Sequence, residues 1–283
     1  MIVILIIAAV LAACILLFII AGIVCNRNLK ATVYTIHSHK LPKGFEGFRI
    51  MQISDLHNCA YSKDNRNLIK LVKNAKPDII AITGDMIDSR KTKPEVAVNL
   101  AKELTKIAPC YYVTGNHEAR LQEKAESFIS RLKATGVTFL DNRKEEITKG
   151  KESILLLGAE DPFHQWSKEE YNKSEIMRKS LEKITNKDEK GFRILLSHRP
   201  ELFENYTDLN IDLTLTGHAH GGQIRLPFIG GLFAPCQGFF PKLTKGVHKK
   251  KNSHLVVSRG LGNSSFPFRI FNPPEAVIVD LKQ

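Results

Sequence analysis

Charge is missing from the start of this 283-residue chain: Met1 to Asn26 holds no Asp, Glu, Lys or Arg and runs from Ile2-Val3-Ile4-Leu5 to Ile23-Val24-Cys25. A run of about 20 apolar residues is long enough to cross a bilayer core. A cleaved signal peptide is disfavoured, because no basic residue precedes the run and no clear small-x-small site follows it. Leu11-Ala12-Ala13-Cys14 has the look of a lipoprotein box, yet the apolar stretch continues past Cys14. The preferred reading is a retained single-pass anchor over residues 1–26, which places the protein at the cell membrane. Cysteine is also scarce. Of five, Cys14 and Cys25 lie in the anchor, and Cys59, Cys110 and Cys236 are left, an odd number without paired spacing. That argues against a disulfide framework. Acidic residues fall short, 29 against 41 Lys and Arg, for a net charge of +12 and a pI near 9.4. Such a balance suits a domain held beside anionic lipid, where each juxtamembrane Lys or Arg adds about 1 kcal/mol of attraction. It serves solubility equally well. Nucleic acid is disfavoured as a partner, since no interleaving of aromatic and basic residues marks a strand-binding groove. Arg27, Lys30, Lys40 and Lys43 follow the anchor, a modest bias toward a cytoplasmic C-terminal domain that leaves the side of the membrane open.

What is present reads as one α/β domain. Residues 27–44 form a polar juxtamembrane linker and residues 45–283 the catalytic domain. Phe48 to Ser54 alternates like a strand and ends at Asp55, and a helical pattern through Leu68, Ile69, Leu71 and Val72 closes at Pro77. Asp78 to Thr83 is a continuous apolar run, as in a strand covered on both faces, and ends at Gly84-Asp85. Pro94 opens a helix to about Ile107, and Cys110 to Thr114 leads into Gly115-Asn116-His117. This is the grammar of parallel βαβ units. Further on come a helix around Lys124 to Thr135, a strand over Ser153 to Gly158 and a charged outer helix from about Ser167 to Ile184. Two strands, Phe192 to Ser197 and Ile211 to Thr216, each deliver a histidine, and His254 to Arg259 and Glu275 to Leu281 close the domain. No internal repeat exists beyond the βαβ rhythm.

Five polar clusters follow these strands: Asp55-Leu56-His57, Gly84-Asp85, Gly115-Asn116-His117-Glu118, His198 and Gly217-His218-Ala219-His220, which hold five of the ten histidines. Asp55 and His57, two apart, leave the same face of an extended chain while Leu56 points into the core, and His218 and His220 repeat this around Ala219. A carboxylate such as Asp85 can bridge two cations. Singly, each cluster is more often a turn or cap. Jointly, five clusters behind five strands point to a two-metal centre. Mixed nitrogen and oxygen donors suit Mn²⁺, Fe or Zn²⁺ better than Ca²⁺.

In its succession of Asp-x-His, Gly-Asp, Gly-Asn-His-Glu, lone His and Gly-His-x-His, the chain resembles the calcineurin-like metallophosphoesterase superfamily from about Phe48 to its C-terminus. The apolar N-terminal helix, Gly221-Gly222-Gln223, Ser258 to Gly262 and Asn272 to Glu275 make it similar to the membrane-anchored branch of YkuE-like and YaeI-like phosphodiesterases. The resemblance implies a layered α/β/β/α sandwich. It implies one metal held by Asp55, His57, Asp85 and His220, and a second held by Asp85, Asn116, His198 and His218, with manganese preferred over iron or zinc. His117 is left to protonate the leaving oxygen or to stabilise developing charge. The implied chemistry is attack of a metal-bridging hydroxide on phosphorus.

Substrate signals are fewer. Arg120, Arg199, Arg225, Arg259 and Arg269 stand where a guanidinium could grip a second phosphate, with Arg120 and Arg259 the candidates retained; most surface arginines are only solvated. Asp88 is a candidate to orient a ligand, or a turn cap. Phe228 to Phe233, Phe239-Phe240, Phe266 and Phe268 form an apolar lip or pack a loop, and Lys242 to Lys251 reads as a solvated basic loop. Anchor, basic charge and lip together point to a phosphodiester or pyrophosphate on a lipid, for which UDP-2,3-diacylglucosamine, cleaved by some members of the resembling branch, is one candidate. The competing expectations are a nuclease of the same superfamily and a catalytically silent metal-binding scaffold.

Overall fold

The computed structural model describes residues 1–166, 172–186, 190–264 and 266–283. In chain order the elements are α1 (Ile2–Arg27), β1 (Lys30–His37), β2 (Arg49–Ile53), α2 (Arg66–Ala75), β3 (Ile79–Thr83), α3 (Pro94–Leu104), β4 (Cys110–Val113), α4 (Asn116–Leu121), α5 (Glu126–Lys133), β5 (Thr138–Phe139), β6 (Arg143–Lys149) and β7 (Glu152–Gly158). Then follow α6 (Lys173–Ile184), β8 (Arg193–Leu196), α7 (Phe203–Asp208), β9 (Leu213–Thr216), β10 (Arg225–Leu226), β11 (Gly230–Gly231), β12 (Phe233–Ala234), β13 (Gly238–Phe239), β14 (Gly246–Lys250), β15 (Ser253–Val257) and β16 (Glu275–Lys282).

Two six-stranded sheets face each other, ordered β1-β16-β2-β3-β4-β5 and β14-β15-β9-β8-β7-β6. Strand periodicity builds the layers. Alternate residues Ile50, Ile79, Val277, Ile194, Leu213 and Val256 fill the space between the sheets. The opposite face of the first sheet, with Met51, Ile53, Ile80 and Ile82, packs on α2, α3 and α5 through Val72, Leu100 and Phe128. The second sheet turns Leu157, Leu195 and Val257 to α6 and α7, through Leu181 and Tyr206. This α/β/β/α stack covers both faces of the central parallel strands, which is why they read as unbroken apolar runs.

Three expectations change. Residues 27–44 are not a linker: β1 pairs in parallel with β16 along its whole length, from Lys30↔Glu275 to His37↔Lys282, and Ile36 and Leu41 are buried in the core between the sheets. Its alternating β-branched pattern outweighed its charges, and only Asn28 and Leu29 separate it from α1. The basic stretch from Lys242 likewise contains a strand, since Gly246–Lys250 forms the edge of the second sheet. Lysines are a common protection of exposed edges, and they hid the strand in a solvated-looking segment. The outer helix begins at Lys173, with 167–171 outside the described residues.

Candidate metal centre

The strand ends converge at one rim of the sandwich. Asp55, His57, Asp85, Asn116 and His117 come from behind β2, β3 and β4 of the first sheet, and His198, His218 and His220 from behind β8 and β9 of the second. All eight are buried. The extended backbone expected for the Asp-x-His and His-x-His pairs is not what brings them together. Asp55, His57, Asp85, His218 and His220 have φ of 52°, 44°, 53°, 63° and 47°. Each sits in the left-handed region just past its strand, strain that persists only where surrounding structure enforces it and that collects at functional sites. Glycine makes the approach possible: a Cβ on Gly115 would lie 2.3 Å from Asp85 Oδ1, and one on Gly217 2.2 Å from Asp55 Oδ2.

Donor atoms of Asp55, His57 and His220 cluster together, as do those of Asp85, His198 and His218. Asp85 Oδ2 lies 3.2 Å from His198 Nε2 and 3.5 Å from His57 Nε2, while Asp55 Oδ1 lies 3.4 Å from His220 Nε2. His57 Nε2 and His220 Nε2 are 3.2 Å apart. The surroundings aim these atoms. His198 donates Nδ1–H to Thr83 O at 2.8 Å, which turns Nε2 toward the carboxylates, an arrangement typical of metal-binding histidines. Asp55 accepts from Ser54 Oγ and His218 N, and Asp85 Oδ1 accepts from His117 N.

The electrostatics demand positive charge. Among the described residues no Lys or Arg pairs with Asp55 or Asp85; the ion pairs of both are with histidines alone. Burial lowers His57 to about 3 and holds His218 and His220 well below their usual range, with Arg199 adding to the effect at His218 and His57 at His220. Neutral imidazoles are the ligand form. At His198 burial is outweighed by Asp85 and Asp55, which raise it to about 10. Burial pushes Asp55 up to about 6, while at Asp85 the same burial is overruled by His198 and His117 and the carboxyl is held well below its normal range. One imidazolium thus faces two buried carboxylates. Asn116 Oδ1 is buried without a hydrogen-bond partner, and His198 Nε2 has only the Asp85 carboxylate, 3.2 Å away. An orphaned oxygen and paired carboxylates of this kind fit divalent cations held by nitrogen and oxygen.

His117 stands beside this set, its ring 4.6 Å from that of His57 and its Nε2 4.0 Å from Asp85 Oδ2. Its Nδ1 accepts from Ser89 N at 3.0 Å and lies 3.5 Å from Asp88, so the neutral ring carries its proton on Nε2, facing the cluster. Burial keeps this ring below its usual range despite Asp85 and Asp88. Asp88 is itself paired with Arg90, which suits an orienting role.

The candidate phosphate-gripping arginines are placed apart. Arg120 is exposed, over the Phe163 ring at 5.3 Å, and Arg259 is paired with Glu275 at 2.6 Å. Arg225 donates to Gly221 O and Thr244 Oγ1. Arg199 and Arg269 are buried inside the frame. Arg199 is clamped by both oxygens of Asp161, at 2.6 and 2.9 Å, and points Nη1 at His218 Nε2, 3.0 Å away. Arg269 donates to Arg259 O and Gly262 O, behind His220. Two residues carry structural roles that the sequence reading did not assign, although Glu118 closes the Gly115-Asn116-His117-Glu118 cluster. Glu118 accepts from the backbone N–H groups of Asp85, Met86, Ile87 and Gly115, stapling two motif loops together, and burial lifts it to about 7. Asp161 anchors Arg199; its only signal was position after a strand, shared by many turn residues.

A cleft of about 910 Å³ lies elsewhere, between Phe203, Glu204, Phe240 and Lys242 to Lys250, and none of the eight cluster residues lines it.

A family model described as calcineurin-like phosphoesterase matches residues 48–222. The chain is 30% identical over 258 residues to the uncharacterized metallophosphoesterase YkuE of Bacillus subtilis (strain 168), covering 90% of this chain and 86% of that one. It is 26% identical over 238 residues to phosphodiesterase YaeI of Escherichia coli (strain K12), covering 83% and 82%. Among solved structures, TT1561 of Thermus thermophilus superposes with a TM-score of 0.52 at 14% identity, over 76% of this chain and 90% of that chain, a likeness of fold.

Proposed function

Since the chain belongs to the calcineurin-like phosphoesterase family and is a metal-dependent phosphoester hydrolase, we propose that it is a membrane-anchored phosphodiesterase whose substrate is a phosphodiester or pyrophosphate carried on a lipid. The observation that carries the reading is the pair of buried carboxylates, Asp55 and Asp85, met by the four imidazoles of His57, His117, His198 and His220 and by no Lys or Arg among the described residues. Asp55, His57, Asp85 and His220 would hold one cation, and Asp85, Asn116, His198 and His218 the other, with manganese the preferred ion and iron or zinc the alternatives. When bound, two such cations supply a water-derived nucleophile at neutral pH and stabilise the phosphoryl oxygens of an in-line displacement. The protein's own part is orientation and stabilisation of developing charge. Thr83 O and Asp55 hold His198 and His218 in place, and His117 presents its Nε2–H as a hydrogen-bond donor to the charge that develops on the departing ester oxygen.

The lipid reading is supported by α1, whose 26 residues are long and apolar enough to cross a membrane, and by the net charge of +12. UDP-2,3-diacylglucosamine is one candidate. The test is full-length protein loaded with Mn²⁺, assayed on bis-p-nitrophenyl phosphate and on a lipid pyrophosphate in vesicles. Preference for the bilayer-presented substrate is expected. Equal turnover of soluble and vesicle-borne diesters would remove the lipid part of the proposal, and no turnover of either would remove the whole.

A further inference from the structure

Between Arg225 and Lys242 the chain runs sixteen residues without a charged side chain, Leu226-Pro227-Phe228-Ile229 through Gly238-Phe239-Phe240-Pro241. They fold into two small hairpins, β10–β11 and β12–β13. Leu226, Phe228, Ile229, Phe233, Phe239 and Phe240 are all exposed on them, Phe228 completely and Phe239 at 72%. A soluble surface rarely gathers so many large apolar groups in one place. Arg225 precedes the stretch and Lys242 and Lys245 follow it. An apolar tip with a basic fringe is the pattern of segments that lie in the headgroup region of a bilayer.

Two sets of contacts give this lobe its place. Its base is tied to the metal centre: Leu232 N donates to Gly222 O, two residues after His220, and Asn272 donates to His220 O. Its flank is tied to the loop 266–272, because Arg225 N donates to Ile270 O and Ile224 bridges Ile270. The same loop receives the end of α1. Asn26 Nδ2 donates to Pro267 O at 2.7 Å, Asn26 Oδ1 accepts from Arg269 N at 3.0 Å, and Phe18 meets the Phe268 ring edge-on at 6.4 Å. Gly22 allows this closeness, since a Cβ there would lie 2.8 Å from Phe268. With only Asn28 and Leu29 before β1, the helix is docked onto the domain and is not a free tether.

We propose that the 226–241 lobe is a second membrane contact, seated among the lipids of one leaflet beside the emerging end of α1, so that the metal centre opens at the bilayer surface. This rests on the reading of α1 as a membrane anchor. The occupant is lipid, because the anchor leaves the fold from the loop that flanks the lobe, and because the lobe's fringe is cationic. The hairpins insert their aromatic tips and the lysines stay with the headgroups.

The test uses the full chain in vesicles of phosphatidylethanolamine and phosphatidylglycerol, with Phe228→Trp in a Trp166→Phe background, so that a single indole reports the tip. Acyl-brominated lipids are expected to quench the introduced indole, and the unmutated chain, reporting through Trp166, should show no such quenching. Phe228→Asp/Ile229→Asp should lose on the order of tenfold in turnover of a vesicle-borne diester and keep its turnover of bis-p-nitrophenyl phosphate. A chain that stays in the vesicles through alkaline extraction while the introduced indole is solvent-exposed and unquenched overturns the lobe contact. Blue-shifted but unquenched emission overturns it in favour of a second copy of the chain or another protein. A chain extracted by alkali overturns the anchor and this inference with it. The quenching is read without activity, so failure of the lipid-substrate reading is seen separately.

Discussion

The two sides of the candidate metal centre differ in kind. The first sheet contributes Asp55, His57, Asp85, Asn116 and His117, and thus both carboxylates, whereas the second contributes three histidines, of which His198 answers the carboxylates as an imidazolium. The first side is self-repelling without cations. The second needs only to be aimed, by Thr83 O at His198 and by the Asp161–Arg199 clamp at His218. Because the clusters meet only when the sheets stack, the centre is a product of the sandwich, and a defect on either side should have its own signature.

The largest effect is expected on the first side. Asp85→Ala removes the carboxylate placed between both donor groups, and with it several kcal/mol of transition-state stabilisation, roughly 10⁴-fold in turnover of bis-p-nitrophenyl phosphate or more. Metal analysis should show the loss of bound ions as well; full metal content in this variant would contradict the bridging position. His117→Ala should lower turnover by about 10²-fold or more with the ions retained, which separates a hydrogen-bond donor to the leaving oxygen from a ligand. On the second side, Asp161→Ala leaves the buried Arg199 guanidinium with only the longer ion pair to Glu201, 3.7 Å away, at a cost of about 3 kcal/mol readable as a lower urea midpoint. It should also weaken metal affinity by about 10- to 100-fold, through His218. An unchanged midpoint would mean the clamp is not structural. Smallest is simple metal removal. At ligand 100-fold above Kd, binding adds about 2.7 kcal/mol, so chelation should lower Tm by roughly 5–10 °C. In Asp85→Ala that drop should vanish, whereas a drop of the same size in the variant would place the ions elsewhere.

Much of the site was legible from the chain alone. Apolar runs of strand length each ended in Asp, Asn or His, and the βαβ rhythm ordered them, so that convergence followed from topology. Backbone conformation at the candidate ligands was not legible, because the extended geometry inferred for Asp55 and His57 gave way to φ of 52° and 44° in turns held by neighbouring loops. Also hidden were two edge strands, β1, which the basic residues flanking it made part of a linker, and β14, whose own lysines made it read as a solvated loop. Arg199 and Arg269 looked like surface cations until the packing showed both buried.

The chain's own order of residues determined which elements form and which side chains stand at their ends, because hydrophobic periodicity and local propensity act over a few residues. Only the tertiary structure decided that Glu118 would staple two loops, that Asp161 would pair with Arg199, and that Asn26 would clasp the loop beside the metal centre. Those choices join residues from 3 to more than 200 positions apart through hydrogen bonds and desolvated charge. Their energy exists only after the two sheets have excluded water between them.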